Sequence, residues 1–400
     1  MRLRSVIALT YPQSFYTFSI DRPAIEKVFW TVTWEAAMYR LAMVILSVAP
    51  AVMAGTIGFV QTNLASDVPG LAQTTDPDLV NAWGMAASAT SPVWIGANGS
   101  GKSVLYNGAG VKQGLVVAIP GDGSVTGLAF SGLAGSFNAD SFLFASEDGT
   151  VSGWRGALGT SAETLVAGSA ANVYKSLADA NIGGNEFAYL ANFRNGSIDV
   201  LKGNNAAANL TGTFTDPTVP AGYAPFDVQN LGGVLYVTYA VQDATKHDDV
   251  AGAGNGIVDA FDLQGNFLRR VVSNGALDSP WGLALAPAGF GDVGGDLLVG
   301  NFGDGTINAY NPTSGTFIET LRDANGNPLK IDGLWALEFG NGGSFGSPNT
   351  LYFTAGPSGE SHGLFGELTQ TREPATWGVA GASLLALALG RRGRSARSAT

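Results

Sequence analysis

Short apolar runs, each broken by a glycine-rich turn and followed by a strand of alternating apolar and polar positions, recur six times along this chain. The copies run from Val93 to Tyr106, Phe142 to Trp154, Phe187 to Val200, Val234 to Phe261, Leu297 to Tyr310 and Leu351 to Phe365. Their turns read Glu147-Asp148-Gly149-Thr150 or Gly303-Asp304-Gly305-Thr306. Gly, Asn and Asp take positive φ at low cost, so this pattern predicts β-hairpins.

A second repeated element precedes most hairpins: Trp83-Gly84-Met85-Ala86, Thr126-Gly127-Leu128-Ala129, Phe226-Asp227-Val228, Trp281-Gly282-Leu283-Ala284 and Trp335-Ala336-Leu337, with a degraded copy near Tyr174 to Leu177. A strand here, the hairpin, and a fourth strand such as Phe267 to Val272 or Thr316 to Leu321 make four antiparallel strands per unit. Radial arrangement of such sheets protects their edges. The expected fold is therefore all-β, a six-bladed β-propeller over residues 55–369, with no room for a seventh copy. Gly84, Gly127 and Gly282 suit strands crowded at the hub, and the aromatics are expected to wedge between blades. Phe59 to Leu64 is expected to close the ring beside Gly363 to Leu368.

Composition narrows the picture. The 56 Gly fit short strands and tight turns, while 46% hydrophobic residues and a mean hydropathy of +0.16 provide for a large core. A net charge of -11 argues against nucleic-acid binding, which needs a cationic surface. There is no Cys, so disulfides and thiolate chemistry are excluded.

The termini point to export. From Met38 the chain reads as a secretory signal over residues 38–54: a basic start, an apolar core from Leu41 to Met53, and small residues before a cleavage point after Ala54. Residues 1–37 read either as lying upstream of the true translation start or as an extension preceding an uncleaved anchor. Residues 370–400 carry Glu373 and Pro374, an apolar run from Trp377 to Gly390, and then Arg391 and Arg392, an order that retains the end on the inner side of a membrane. This pattern resembles the PEP-CTERM sorting signal of Gram-negative exopolysaccharide producers, although Arg372 replaces the first Pro. The resemblance implies an exosortase as partner, transient membrane contact, and a destination on the outer surface or in the extracellular matrix. An ordinary C-terminal anchor is the other reading.

The body carries its own resemblance. Thr75 to Gly84, Leu235 to Ala240, Lys246-His247-Asp248-Asp249-Val250-Ala251-Gly252 and Gly254 to Asp259 are similar to an exported β-propeller family with NHL-like repeats, whose members frequently end in PEP-CTERM signals. That family brings no established activity with it.

Candidate chemistry is sparse. Asp278 and Asp332 lie three residues ahead of Trp281 and Trp335, and Asn81 lies two ahead of Trp83, so the three would converge at the channel mouth. They would supply oxygen ligands to Ca²⁺, which takes several at about 2.3 to 2.6 Å, or else cap turns. The fourth hairpin carries a long insertion, Gln242 to Asp249, in which His247, Asp248 and Asp249 are candidates for a ligand or metal site, the alternative being a solvated loop. With His247 and His362 the only imidazoles, nucleophilic catalysis has little support. Two classes remain: a non-catalytic, monomeric propeller binding an envelope or exopolysaccharide partner, or a Ca²⁺-dependent hydrolase or lactonase working at the channel mouth.

Overall fold

The structure is a computed structural model describing residues 58–371. The signal segment and the sorting residues Glu373, Pro374, Arg391 and Arg392 lie outside the described residues. Six sheets follow one another along the chain, running from the hub outwards in antiparallel sequence order, except that the sixth is completed by an N-terminal strand, to which the two-residue strand Thr74–Thr75 pairs in parallel. Their inner strands are Ala82–Ala86, Val125–Phe130, Tyr174–Ile182, Tyr223–Leu231, Pro280–Leu285 and Leu334–Phe339, defining blades 1 to 6. Each inner strand touches the next, and that of blade 6 returns to blade 1, so the ring is closed. This is the expected six-bladed propeller.

Closure uses the expected strand. Gly58–Ser66 pairs antiparallel with Leu364–Thr371 as the outer strand of blade 6, with Phe59 opposite Gln370 and Ser66 opposite Leu364. The seam is pinned by Asp67, whose carboxylate accepts from Gly363 N (2.8 Å) and meets His362 Nδ1 (2.9 Å).

Blade 3 departs from the four-strand pattern. Its sheet has three strands, ending with Ser197–Lys202. The following segment bonds to the next blade instead: Gly212 N donates to Gln264 O and Phe214 N to Gly265 O. Phe214 takes a positive φ of 53° and packs its ring against Tyr189 and Phe261. Aromatic burial between blades 3 and 4 thus replaces an edge ladder.

The hub glycines are sterically required. A Cβ on Gly84 would land on the Thr126 carbonyl oxygen, one on Gly127 on the Leu177 amide, and one on Gly282 against the Trp335 carbonyl oxygen. The aromatics do more than wedge between blades. Trp335 stacks on Trp83 of blade 1 (3.8 Å between centroids) and on Phe302 of blade 5 (4.0 Å), and meets Trp281 and Phe226 at 5.8 and 5.9 Å. Inner strands converge on the axis, so rings from several blades reach one another and plug the channel.

Candidate functional site

The plug separates two mouths. One gathers the N-terminal ends of the inner strands and the turns between second and third strands. At this mouth the hub aromatics occupy one repeated slot: Trp83, Phe226, Trp281 and Trp335 each stand two positions before the residue that packs as Met85, Val228, Leu283 or Leu337. In blade 3 the same slot, two before Leu177, holds Lys175. The lysine is 2% exposed, its ammonium lies 5.3 Å from the Trp83 ring centroid, and its carbonyl accepts from Trp281 Nε1. A cation over an indole face is favourable at that range.

From Lys175 an arc of polar contacts crosses five blades. Its Nζ meets Glu147 Oε1 at 2.5 Å and Asp248 Oδ1 at 3.0 Å. Beyond Glu147, Asn98 Nδ2 donates to Glu147 Oε2 (3.1 Å), and Asn81 Nδ2 donates to Asn98 Oδ1 (3.3 Å) and to Glu360 Oε2 (2.8 Å). Asn81, held at φ 47°, also accepts from Trp335 Nε1 (3.2 Å). Beyond Asp248, His247 Nδ1 stands 2.9 Å from its Oδ1. Burial works against the Lys175 charge, but Glu147 and Asp248 outweigh it and raise the amine above its ordinary range. Burial also pushes the Glu360 carboxyl up.

The blade 4 insertion, residues 242–256, is folded around Asp243. That carboxylate takes the Thr245 hydroxyl (2.6 Å) and the His247 amide (2.8 Å), which hold it down at about 2. The loop thereby turns His247 and Asp248 inward to Lys175.

Of the sequence candidates, Asn81, His247 and Asp248 come together in this arc. Asp249 bridges back to Gln242 within the insertion, and burial raises its carboxyl. Asp278 accepts from Gly252 N (2.7 Å) and Asp332 from Ser358 N (2.8 Å). Among the described residues the group close enough to share a metal ion is Glu147, His247 and Asp248, whose ligand atoms lie within 4.8 Å of one another; Asp249, Asp278 and Asp332 stand outside it. The Lys175 ammonium already bridges two of that trio. A Ca²⁺ ion, which wants several free oxygens, does not fit a cradle that a protein cation fills. Sequence reasoning missed Lys175, Glu147, Asn98 and Glu360. The signal for Lys175 was present: the degraded repeat puts a charge where blades 1, 4, 5 and 6 put a ring.

The opposite mouth, formed by the C-terminal ends of the inner strands, opens into a cavity of about 440 Å³. Small and aliphatic side chains wall it together with Phe130, Phe339 and Trp281, and Asp179, Gln229, Asn230 and Glu338 supply its polar groups. Burial pushes the Glu338 carboxyl up to about 8. Burial and then the neighbouring Glu186 push Asp179 up to about 9.

No protein-family model matches the chain. In fold it is similar to a solved streptogramin B lyase (TM-score 0.42, 12% identity, 80% of this chain and 99% of that one) and to a glucose dehydrogenase (TM-score 0.47, 13% identity, 77% and 98%). It is 32% identical over 334 residues to "Uncharacterized protein R648" of Acanthamoeba polyphaga mimivirus, covering 76% of this chain and 78% of that protein. It is 30% identical over 321 residues to "Uncharacterized protein L690" of the same virus, covering 75% and 83%. The chain belongs to the propeller family of these two mimivirus proteins.

Proposed function

We propose that this chain is an exported, non-catalytic β-propeller that binds a partner in the cell envelope or exopolysaccharide matrix through its polar mouth, after sorting by an exosortase. The observation that carries this reading is the saturation of the arc. Glu147 and Asp248 are paired with Lys175, and Glu360 with Asn81, while His247 faces Asp248. A general base or a metal-bound nucleophile needs a free lone pair aimed at substrate, and these groups are engaged with one another. A rigid polar rim over an aromatic floor is instead suited to docking, with Asp248 presenting a side chain that is 66% exposed. The reading of a Ca²⁺-dependent hydrolase draws no support from Asp278 and Asp332, each held by a backbone amide.

The test is retention of the full chain on extracellular polysaccharide, with and without a chelator. Retention that survives chelation and falls at least tenfold in Asp248→Ala is expected. No retention, or retention only with Ca²⁺, overturns the reading. Mass spectrometry of the mature protein checks the sorting part: cleavage after Ala54 and loss of the segment beyond Pro374 are expected, and intact termini refute it.

A further inference from the structure

The polar mouth leaves the opposite one unexplained. Asp179 and Glu338 sit on the inner strands of blades 3 and 6, which stand opposite each other in a ring of six, so their carboxyls belong to facing walls of the 440 Å³ cavity. Among the described residues no N–H or hydroxyl group donates a hydrogen bond to either side chain; both residues line the cavity, and one oxygen of each, Asp179 Oδ2 or Glu338 Oε2, is sealed from solvent. No Lys, Arg or His lines the cavity. A buried acidic oxygen left without a donor is costly, and such orphans in a native fold call for an explanation.

The Glu186 carboxyl lies within hydrogen-bonding reach of Asp179, so a proton held there is shared between the two, whereas burial alone acts on Glu338. Glu186, the carboxyl nearest Asp179 in effect, is itself saturated by Ser131 Oγ (3.0 Å), Gly132 N (2.9 Å) and Leu133 N (2.9 Å). Like charges this close disfavour ionisation of Asp179 until a cation arrives. Between the two carboxyls the walls are apolar, with Met85, Leu128, Leu283 and Leu337 among them. A ligand complementary to this cavity therefore carries hydrogen-bond donors with positive charge at two ends and a hydrocarbon body in the middle.

We propose that this cavity binds a short aliphatic diammonium, one ammonium on Asp179 and the other on Glu338, with its methylene chain against the aliphatic walls. This site is separate from the polar mouth and does not depend on the docking role given above. A sugar-like polyol would place its hydroxyls against hydrocarbon, and an inorganic cation would leave the apolar walls unused.

Calorimetric titration of the full chain with 1,4-diaminobutane at pH 7 tests the assignment, with 1,4-butanediol and 1-aminobutane as controls. Binding at one site is expected, at least tenfold weaker for the monoamine and undetectable for the diol. Because cation binding ionises groups that are protonated beforehand, protons are released, and the apparent enthalpy changes with the buffer's ionisation heat. Glu338→Gln and Asp179→Asn, each isosteric and checked by thermal melting, are expected to weaken binding at least tenfold, whereas Asp248→Ala leaves it unchanged. Equal binding of the diol, or wild-type affinity in either carboxyl variant, overturns the proposal.

Discussion

The Lys175 ammonium of blade 3 lies 2.5 Å from Glu147 Oε1 of blade 2, buried at the hub in a slot that blades 1, 4, 5 and 6 fill with aromatic rings. This pair joins two blades where their backbones share no ladder, and the arc from Glu360 to His247 runs through it.

Removing the ammonium strands Glu147 at the mouth. Lys175→Met is expected to destabilise the fold by about 2 to 3 kcal/mol, below the range for a fully buried pair because Asp248 remains solvated. Urea denaturation measures this. The double variant with Glu147→Gln is expected to lose less than the sum of the two single changes, and strict additivity would show that the pair does not couple.

A shorter replacement at the same position bears on metal binding. With Lys175 shortened to Ala, Glu147, His247 and Asp248 are left as three ligands with no internal cation, so Lys175→Ala is expected to gain Zn²⁺ affinity that the parent chain lacks at that mouth. Titration with Zn²⁺ reads it out. Equal affinity in both chains would mean that the lysine does not fill the cradle.

Glu338 predicts a pH dependence. Its carboxyl sits at about 8 in the folded chain against an ordinary 4.5. The folded state therefore binds the proton more tightly than the unfolded state. Stability from this group is full below about 4.5 and is lost as pH rises towards 8. Glu338→Gln removes that loss, so the variant should melt higher than the parent at pH 8 and show a flatter profile between pH 5 and 8. Parallel profiles would refute the burial argument.

The hub tolerates no added methyl. Gly127→Ala drives a Cβ into the Leu177 amide, where the opposing atoms are backbone and cannot swing away. A cost of about 3 kcal/mol is expected, at the upper end for overpacking. By contrast Gly135→Ala, which meets open space but sits at φ 87°, should lose only about 1 kcal/mol through backbone strain. Comparison of urea midpoints checks both.

Much of the architecture was legible because it is written locally and repeatedly. Turns such as Asp148-Gly149 carry their own positive-φ residue, inner strands carry Trp-Gly or Thr-Gly, and the closing strand around Phe59 has the period of an edge partner. Blade 3 was harder: Phe214 left its own sheet for an aromatic pocket made with the next blade, a choice that depends on Tyr189 and Phe261 being there.

The polar arc and the cavity lie at the other limit. Asn81 and Glu360 are 279 positions apart, and Glu147 and Lys175 belong to different repeats, so their meeting depends on how far each blade turns about the axis. The chain alone determined six self-similar sheets, their order and their closure, since hairpin turns and strand periods act between near neighbours. Which side chains share a mouth was decided only when the ring closed, because that rotation brings distant turns to one rim and leaves Asp179 facing Glu338 across the channel.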